Sequence, residues 1–493
     1  MKKFWLVLFS LGLIMAFSAS ALAVDVKFSG SYYAAGMYLD KTTFVKDGYF
    51  ATLPDFQNPT YSDGSPSTAF FYQRLRLQTD FIVSPSLKMV TRFDVMERSW
   101  GAKRSDPDGP NDFQSAQSRA DNENIAFDLA YVEYTSPIGL FAVGYMDDGP
   151  WGTIFGDTSV PQGGILWAAQ AKGWTVALQA FKLNDNSYTR AYASSVTDND
   201  TDKYEAVVFY EWKGGQAGLL GVYYREASSR PQTFMGADVG FTGNVYVLEP
   251  YAIIQLGPAK IQAEVNYAWG KIKADDVNDF TRGQDIKVDN LAAWIDASVV
   301  LNQVYFGGSV AYVAGNDWSH LNDSGKMKKV TGGFLTGGMD WNPTLLLFNN
   351  QRHYWVGTIY GNNVTSSYMN YISQQYNLND TGMYNAWFFQ GRAGVKPIDK
   401  LDIMASLSYA KADNSTLMGA PDVVSDEYGT EIDLTGTYKI TDNLSYMLGF
   451  GYLFTGDYFK GFDKTSEVHD DYIILTDSYF LTTSLLNANP RAR

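Results

Sequence analysis

The chain has 493 residues, a formal net charge of −15 and no cysteine. An acidic chain lacks the basic footprint that binding to a nucleic-acid backbone requires, so nucleic-acid binding is excluded as a main function. A fold without cysteine cannot depend on disulfide bonds, which is compatible with passage through an oxidising periplasm. Beyond the N-terminal segment, no stretch offers the ~20 consecutive apolar residues of a transmembrane helix.

The N-terminal segment has the layout of a secretory signal peptide. Two lysines precede an apolar run from Phe4 to Phe17, and Ala21-Leu22-Ala23 supplies an Ala-x-Ala cleavage site. The run is too short, and wrongly flanked, for a retained membrane span. We therefore predict that residues 1–23 are removed and that residues 24–493 form the mature protein.

The rest of the chain shows no sign of division into domains. A chain of this length usually contains about three domains of ~150 residues each. Here no linker, low-complexity tract or change in composition separates one part from another, and alternating apolar and polar runs continue to Leu486. A single closed sheet explains this uniformity, because closure also removes the exposed edges of a wide sheet.

The alternating runs predict strands that pair as hairpins across short turns. In chain order the predicted strands are Asp25 to Leu39; Phe71 to Val83 and Leu87 to Glu97; Ile125 to Thr135 and Leu140 to Met146; Ile165 to Ala171 and Trp174 to Leu183; Tyr204 to Trp212 and Gly218 to Glu226; Val245 to Leu256 and Lys260 to Trp269; Leu291 to Val300 and Val304 to Val313; Ala386 to Lys396 and Leu401 to Lys411; the hairpin from Tyr428 to Gly456; and Ser478 to Leu486. This gives about eighteen strands, with short turns at one end and long loops at the other, which is the asymmetry of outer-membrane barrels.

The clearest alternation lies in the hairpin from Tyr428 to Gly456. In its first strand Glu431 and Asp433 alternate with Ile432 and Leu434. Such a strand has one polar and one apolar face, and we predict that the apolar face contacts lipid. The predicted fold is all-β: a transmembrane antiparallel up-and-down β-barrel with short periplasmic turns and long extracellular loops. The alternative is a secreted β-sandwich array or a propeller, but no propeller motif of ~40–50 residues repeats.

Aromatic residues support lipid as the neighbour of the apolar faces. Membrane barrels carry aromatic girdles at both interfaces. Here aromatic residues lie near the ends of predicted outward faces, and they are Tyr204, Tyr210, Trp212, Tyr267, Trp269, Trp387 and Phe389.

Three segments carry a resemblance to a known family: AYVEYTSPIGLFAVGYMDDGPWGTIFGDT (Ala130 to Thr158), GGMDWNPTLLLFN (Gly337 to Asn349) and the hairpin from Glu431 to Gly461. With them the whole mature chain resembles Gram-negative outer-membrane porins, and more narrowly the alginate-export-like and porin-like eighteen-stranded barrels. The resemblance implies location in the outer membrane, contact with its lipid and lipopolysaccharide, and insertion by the barrel-assembly machinery. It leaves open a monomer or a homotrimer. Such barrels commonly end on an aromatic residue, whereas this chain ends NANPRAR after Phe480.

Charged residues on the polar faces are the candidate functional residues. A barrel of this size leaves an aqueous channel, and fixed charges on its wall set ion and solute selectivity. The predicted channel-lining residues are Arg74, Arg76, Lys88, Arg92, Asp94, Arg392, Lys396, Glu431 and Asp433. The same alternation places Glu205, Glu211, Arg225, Glu264 and Asp296 on the inner face. The alternative is that these charges only solvate a wet wall.

Two loops are further candidates. The loop 147–163 resembles the porin loop that folds into the barrel and narrows the pore, and its predicted constriction residues are Asp147, Asp148, Trp151 and Asp157. Its acids would then face Arg74, Arg76 and Arg92 across the passage and create a transverse field. The alternative is an external loop whose Trp151 and Phe155 pack on the rim. The long extracellular loop 315–383 is too apolar for a free tail, so it either caps or plugs the mouth or carries strands above the membrane.

Signals for enzymatic chemistry are weak. The chain has no G-x-S-x-G, H-E-x-x-H or Walker A motif, and its three histidines, His320, His353 and His469, fall in predicted loops at unrelated spacings. Carboxylate pairs such as Asp121 with Glu123, or Asp470 with Asp471, could hold calcium loosely, but exposed acidic loops explain them as well. We predict no enzyme, no metal site and no cofactor.

The predicted function is a passive outer-membrane channel for ions and small hydrophilic solutes. One alternative is export or uptake of an anionic polysaccharide, which would call for a mainly basic lumen, whereas the inward charges are mixed. A second alternative is a structural role, either as a sheath around a periplasmic electron carrier or as a surface adhesin.

Overall fold

The computed structural model describes residues 24–42, 44, 46, 66–101, 125–148, 151–158, 160–186, 199–228, 233–234, 237–238, 241–274, 285–317, 328–356, 382–415, 423–461, 464–465 and 467–481. The predicted signal peptide, 1–23, lies outside the described residues. So do His320, Asp121 and Glu123, and the chain after Leu481.

Eighteen long strands form one barrel. They are β1 (Asp25–Leu39), β2 (Thr68–Ser84), β3 (Leu87–Ser99), β4 (Ile125–Ser136), β5 (Gly139–Asp147), β6 (Pro161–Ala171), β7 (Trp174–Asn184), β8 (Thr201–Trp212), β9 (Gly215–Glu226), β12 (Phe241–Leu256), β13 (Ala259–Ala274), β14 (Ile286–Leu301), β15 (Val304–Val313), β17 (Ala386–Ile398), β18 (Leu401–Ala412), β19 (Glu427–Thr441), β20 (Leu444–Thr455) and β21 (Asp471–Leu481). Three two-residue strands complete the numbering: β10 (Thr233–Phe234), β11 (Ala237–Asp238) and β16 (Lys329–Val330). The helical elements are α1 (Asn350–Val356) and a 3₁₀ turn (Asp457–Lys460). Among the described residues, no helix is long and apolar enough to cross a membrane.

The sheet closes on itself. Each barrel strand pairs antiparallel with its neighbours along the chain, and β1 pairs with both β2 and β21. Ala34, for example, lies opposite Gln73 on one side and Ser478 on the other. Closure pairs the backbone groups that an edge strand would leave free, which is required in lipid. The predicted closed antiparallel barrel is confirmed.

Short turns and long connections lie at opposite ends of the barrel. Two-residue turns join β2 to β3, β4 to β5, β6 to β7, β8 to β9, β12 to β13, β14 to β15, β17 to β18 and β19 to β20. In the turn after β6, Lys172 and Gly173 have φ values of 52° and 84°, the left-handed backbone that a tight I′-type hairpin needs. We call the opposite end the loop end; by the pattern of membrane barrels it faces outward from the cell.

The outer surface is apolar and the lumen side is polar. In the hairpin β19–β20, Leu434 and Leu448 are each 52% exposed, whereas the neighbouring Glu431 and Asp433 are 0% and 3% exposed. This order is inverted relative to a water-soluble protein, where large aliphatic side chains are buried and carboxylates are exposed. The inverted pattern is expected for a barrel in a lipid bilayer, because lipid-facing and lumen-facing residues alternate along each strand.

The buried core lies inside the barrel, at the loop end. Inward side chains such as Val245, Trp294 and Phe388 pack there with Phe155 and Leu347, which come from loops. The segments 151–158 and 328–356 therefore lie within the barrel, and together we call them the inner layer.

The structure corrects two sequence-based assignments. The last strand is Asp471–Leu481, so it begins before the predicted Ser478. Arg225 does not face the lumen: it shares a face with Tyr223, whose ring stacks on the outward Tyr246, 44% exposed. The alternation of β9 runs unbroken from Gly215 to Glu226, so Arg225 lies on the outward face of Tyr223. Its charge alone did not identify the lumen side, because a long basic side chain at the end of a lipid-facing row extends to the polar membrane interface.

Candidate functional site

The loop 147–163 turns into the barrel. Trp151 is 8% exposed; its indole Nε1 donates a 3.0 Å hydrogen bond to the Glu249 carbonyl, and its ring meets the edge of Tyr251 at 4.9 Å. Phe155 is fully buried and stacks on Trp294 at 6.0 Å. All three wall partners lie on inward faces, so these two aromatic side chains pack inside the lumen and not on an outer rim.

One wall carboxylate holds this loop in place. Glu264, 1% exposed, accepts hydrogen bonds from the Thr153 backbone N–H at 2.6 Å and from the Thr153 hydroxyl at 2.7 Å. A Cβ atom added at Gly156 would overlap the Glu264 carboxylate, and one at Gly152, which has a φ of 67°, would lie 2.5 Å from it. Glycine is required at both positions because the backbone approaches Glu264 so closely.

A second wall residue holds the start of the longer segment. Asn290 is fully buried on β14. Its Oδ1 accepts hydrogen bonds from the backbone N–H groups of Phe334 and Leu335 at 3.0 and 2.7 Å, and its Nδ2 donates to the Thr331 carbonyl at 2.8 Å. One amide side chain thus satisfies three backbone groups of the segment 328–356.

Glu431 holds the middle of the same segment. Its carboxylate, 0% exposed, accepts hydrogen bonds from three successive backbone N–H groups, those of Leu345, Leu346 and Leu347, at 3.0, 2.7 and 2.8 Å. Successive N–H groups that converge on one anion form a nest, and such charge-assisted bonds are stronger than neutral ones. Glu431 faces inward as predicted, but it contacts the inner layer.

The two loop segments contact each other. The Gly338 N–H donates to the Phe155 carbonyl at 2.5 Å, and the Met339 N–H donates to the Thr158 hydroxyl at 3.1 Å. The Trp341 ring meets the edge of Phe155 at 5.2 Å. The inner layer is therefore one packed body fixed to the wall at Glu264, Asn290 and Glu431.

Opposed charges occupy the wall of β2 to β5. Arg76 makes two 2.7 Å bonds to Asp94 and a 2.9 Å bond to Asp128. Arg92 makes bonds of 2.8 and 3.0 Å to Asp147, and its Nε lies 3.5 Å from Asp128. These residues form a continuous ladder across four strands, in which Asp128 joins two bidentate pairs.

Part of this ladder is open to water. Arg74 extends it through a 3.3 Å bond to Glu97, so three guanidinium groups meet four carboxylates. The side chains of Arg74, Arg76 and Asp147 are each about a quarter exposed, at 27%, 28% and 27%. The loop residue Asp147 thus lies beside Arg92, one of the three arginines that the sequence placed opposite it.

The other predicted residues are distributed over the rest of the lumen. Lys88 pairs with Glu133 at 2.8 Å, and Arg392 binds Asp296 at 2.6 and 2.9 Å. Lys396 lies 3.4 Å from Asp402 close to the turn end. Asp433 accepts a 3.2 Å bond from Ser406, and Asp157 is 3% exposed within the inner layer.

Lys203 is a functional candidate that the sequence analysis missed. Its side chain is 6% exposed, and its ammonium group binds the loop residue Asp148 and lies 2.9 Å from Glu205. It also lies 5.1 Å from the centre of the Phe181 ring. The period-two pattern of β8 places Lys203 on the same face as Glu205, so extending that strand by one residue would have found it.

Comparisons with known proteins give fold likeness only. No described protein family and no curated protein match the sequence. Among solved structures, Pseudomonas aeruginosa OpdQ has 11% identity and a TM-score of 0.45, covering 93% of this chain and 98% of its own. OpdK with vanillate, from the same organism, has 10% identity and a TM-score of 0.46; the match covers 92% of this chain and 98% of OpdK. Acinetobacter baumannii OccAB4 has 11% identity and a TM-score of 0.45; the match covers 94% of this chain and 100% of OccAB4.

The location of the protein follows from its own surface. A closed antiparallel sheet whose outer wall exposes Leu434, Leu448 and Phe450, while its carboxylates face inward, is stable only with lipid around it. The protein is an outer-membrane β-barrel. Within this outer-membrane barrel, the candidate functional site is the space between the inner layer and the charged ladder of β2 to β5.

Proposed function

We propose that the protein is a passive channel for ions and small hydrophilic solutes, narrowed by its inner layer. The observation that carries the proposal is the partly exposed charged ladder of Arg74, Arg76 and Asp147, which lies on the lumen side of the wall beside that layer. A filled, dry barrel would bury such groups completely, since unpaired or partly paired charge is costly away from water. Water in this space gives hydrophilic solutes a path.

The inner layer brings a further charge to the same space. Asp340 lies on the layer, outside the membrane-spanning strands, and its side chain is exposed toward the lumen. Partial enclosure in the barrel raises the pKa of this carboxyl; nearby Asp147 raises it further and Arg76 lowers it. Asp340 is therefore within electrostatic range of the ladder, and a solute would pass between them.

The charge balance favours cations. The three arginines of the ladder are all engaged by carboxylates, four in number, and Asp340 adds one more acid on the facing side. Lys203 is likewise outnumbered by Asp148 and Glu205. An acidic constriction concentrates cations and repels anions, so export of an anionic polysaccharide is the less favoured function.

The test is single-channel conductance in a planar bilayer with the reversal potential measured under a salt gradient. A steady conductance with a moderate cation preference is the expected result. Strong anion selectivity, blocked by an acidic oligosaccharide, would favour polysaccharide export. No conductance from a folded barrel would contradict the channel, and copurification of a periplasmic partner would then favour the sheath. Chemical cross-linking in the native membrane would distinguish a monomer from a homotrimer.

A further inference from the structure

A row of polar and charged residues crosses the outer surface near the loop end. Directly paired positions on six neighbouring barrel strands and on β16 make up the row: Lys182, Asp202, Arg225, Asn244, Lys271, Lys287 and Lys329. Because these positions are aligned by the backbone ladder, their side chains form one row that crosses the strands at right angles and slopes along the tilted wall of the barrel.

A row of aromatic rings lies one step closer to the turn end. It consists of Tyr204, Tyr223, Tyr246 and Trp269, each two residues from a member of the row of polar and charged residues and therefore on the same face. The rings stack in sequence with centroids 6.1, 5.0 and 5.8 Å apart. Tyr204, Tyr246 and Trp269 are exposed, at 48%, 44% and 38%. Exposed aromatic rings near strand ends mark the level of lipid headgroups, and Lys271 lies one step beyond Trp269 on the same face.

The charges of the row are unequally balanced. On β7 to β9, Asp202 is 2.6 Å from Lys182 and 4.0 Å from Arg225, so this part is paired. On β13 and β14, Lys271, Lys273 and Lys287 are all exposed, and we call these three residues the lysine patch. Within the described residues, the ion pair made by the patch is that of Lys271 with Asp285, at 3.6 Å.

The lysine patch places like charges against each other. Lys271 lies directly opposite Lys287 on adjacent strands, and Lys273 follows Lys271 on the same face. Like charges directly opposite each other destabilise a sheet. Within the described residues Asp285 is the one carboxylate paired with the three lysines, so the patch keeps an excess of positive charge that favours a further anion. A phosphate group supplies two negative charges and several acceptor oxygens to adjacent ammonium groups.

We propose that the lysine patch binds the phosphate groups of a phosphorylated glycolipid in the leaflet at the loop end. The acyl chains of that lipid would lie on the apolar wall below Trp269, and its headgroup would lie level with the lysines. The site rests on the membrane location of the barrel and is independent of conduction through the lumen.

The test uses purified, folded barrel in detergent, with the heat-induced loss of folded mobility on a gel as the readout. Diphosphorylated lipid A is titrated against the wild type and against the variant K271Q/K273Q/K287Q. Each basic residue near an anionic lipid surface contributes about 1 kcal/mol, which is about fivefold in affinity. The triple variant should therefore bind lipid A roughly a hundredfold more weakly. Without lipid, K287Q should unfold at a higher temperature than the wild type, because the repulsion from Lys271 is removed.

The matched control is K172Q/K213Q/K400Q, which removes three lysines at the turn end, and it should respond to lipid A as the wild type does. Dephosphorylated lipid A should stabilise the wild type and the triple variant equally.

If inorganic phosphate alone reproduced the lipid effect, the site would be one for free anions and the proposal would fail. An equal response of the wild type and the triple variant to lipid A would show that the lysines do not bind its phosphates, and the proposal would fail. K273Q alone, at an exposed position, provides the same comparison if the triple variant does not fold. Unchanged single-channel conductance in the variants keeps this result separate from the channel function.

Discussion

At the scale of single residues, the lumen is organised by buried polar side chains that bind backbone groups of the inner layer. Asn290 and Glu431 each satisfy three backbone groups of the layer, and Glu264 satisfies one backbone N–H and the hydroxyl of Thr153. Loops enclosed in this way need such partners, because an unsatisfied backbone group costs as much as a lost hydrogen bond. Removal of one anchor should loosen a defined part of the layer.

The variant Glu431→Ala should release the residues 345–347 from the wall. The three N–H groups lose an ionised acceptor, and hydrogen bonds to charged groups contribute about 1.5–3 kcal/mol each to stability. The stability of the barrel should therefore fall, and the current through it should become less steady. Single-channel recording should show larger and noisier openings. Glu431→Gln, which keeps one acceptor oxygen, should give an intermediate result. Glu133→Ala, which removes an inward carboxylate bound to Lys88, is the control and should leave the noise unchanged.

The variant Asp340→Asn should reduce cation preference, because it removes a carboxylate that faces the ladder. Partial enclosure in the barrel and the nearby Asp147 raise the pKa of Asp340, so this group takes up a proton at a higher pH than an aspartate in open solvent does. The cation preference of the wild type should therefore weaken as the pH falls through that raised pKa, whereas the variant should lack this step. Asp426→Asn, at an exposed position beside Lys411, serves as the control for reversal-potential measurements. Identical pH profiles for Asp340→Asn and the wild type would remove Asp340 from the passage.

At the scale of elements, the inward loop 151–158 depends on close packing against β13. Its backbone approaches Glu264 at two glycines, and its aromatic side chains fill spaces beside Tyr251 and Trp294. The loop is therefore positioned by its contacts with the wall and with the segment 328–356, in addition to an internal hydrogen bond from the Phe155 N–H to the Thr153 hydroxyl at 3.2 Å.

The variant Gly156→Ala should displace this loop. The added methyl group would overlap the Glu264 carboxylate, and a forced shift of this kind costs about 1–3 kcal/mol. Unfolding in urea, monitored by the heat-dependent shift in gel mobility, should show the lower stability of the variant. The conductance of the same variant should also change. Gly221→Ala is matched to it, because no atom lies within 4 Å of a Cβ added there. Equal stabilities of the two variants would show that Glu264 does not hold the loop.

At the scale of the whole molecule, the barrel wall separates lipid on its outer side from the polar lumen on its inner side. Its outer wall exposes apolar side chains to lipid, and its lumen side holds the charges and the packed inner layer. Adjacent residues on one strand therefore differ sharply in which substitutions they tolerate. Leu434 and Thr435 on β19 offer this comparison within one strand.

The variant Leu434→Arg should fold poorly into vesicles, because an arginine on the lipid face near the bilayer midplane costs about 2–4 kcal/mol. Thr435→Arg adds the same side chain to the neighbouring, lumen-facing position and should lose much less stability. Urea titration of folding into phosphatidylcholine vesicles measures both. Equal losses would contradict the assignment of the two faces.

The sequence predicted the barrel because the information for it is local. Alternation such as that of Glu431, Ile432, Asp433 and Leu434 identifies two faces within one strand, and short turns identify hairpins. Most strand bounds were accordingly found to within a few residues. The inward orientation of Arg74, Arg76, Arg92 and Arg392 also followed from this pattern, although their roles in conduction stay predictions.

The tertiary structure alone decided what fills the lumen and which charges meet. Loop residues have no periodicity, so nothing local distinguishes Glu264 or Asn290, which bind the inner layer, from a side chain that faces water. The pairing of Arg92 with Asp147, and of Lys271 with Lys287, depends on the register between strands and on the path of a loop. The sequence by itself determined the faces of the strands, because each face is set by neighbours two residues apart. Closure of the sheet determined the contents of the barrel, because it brings together residues that are far apart in the chain.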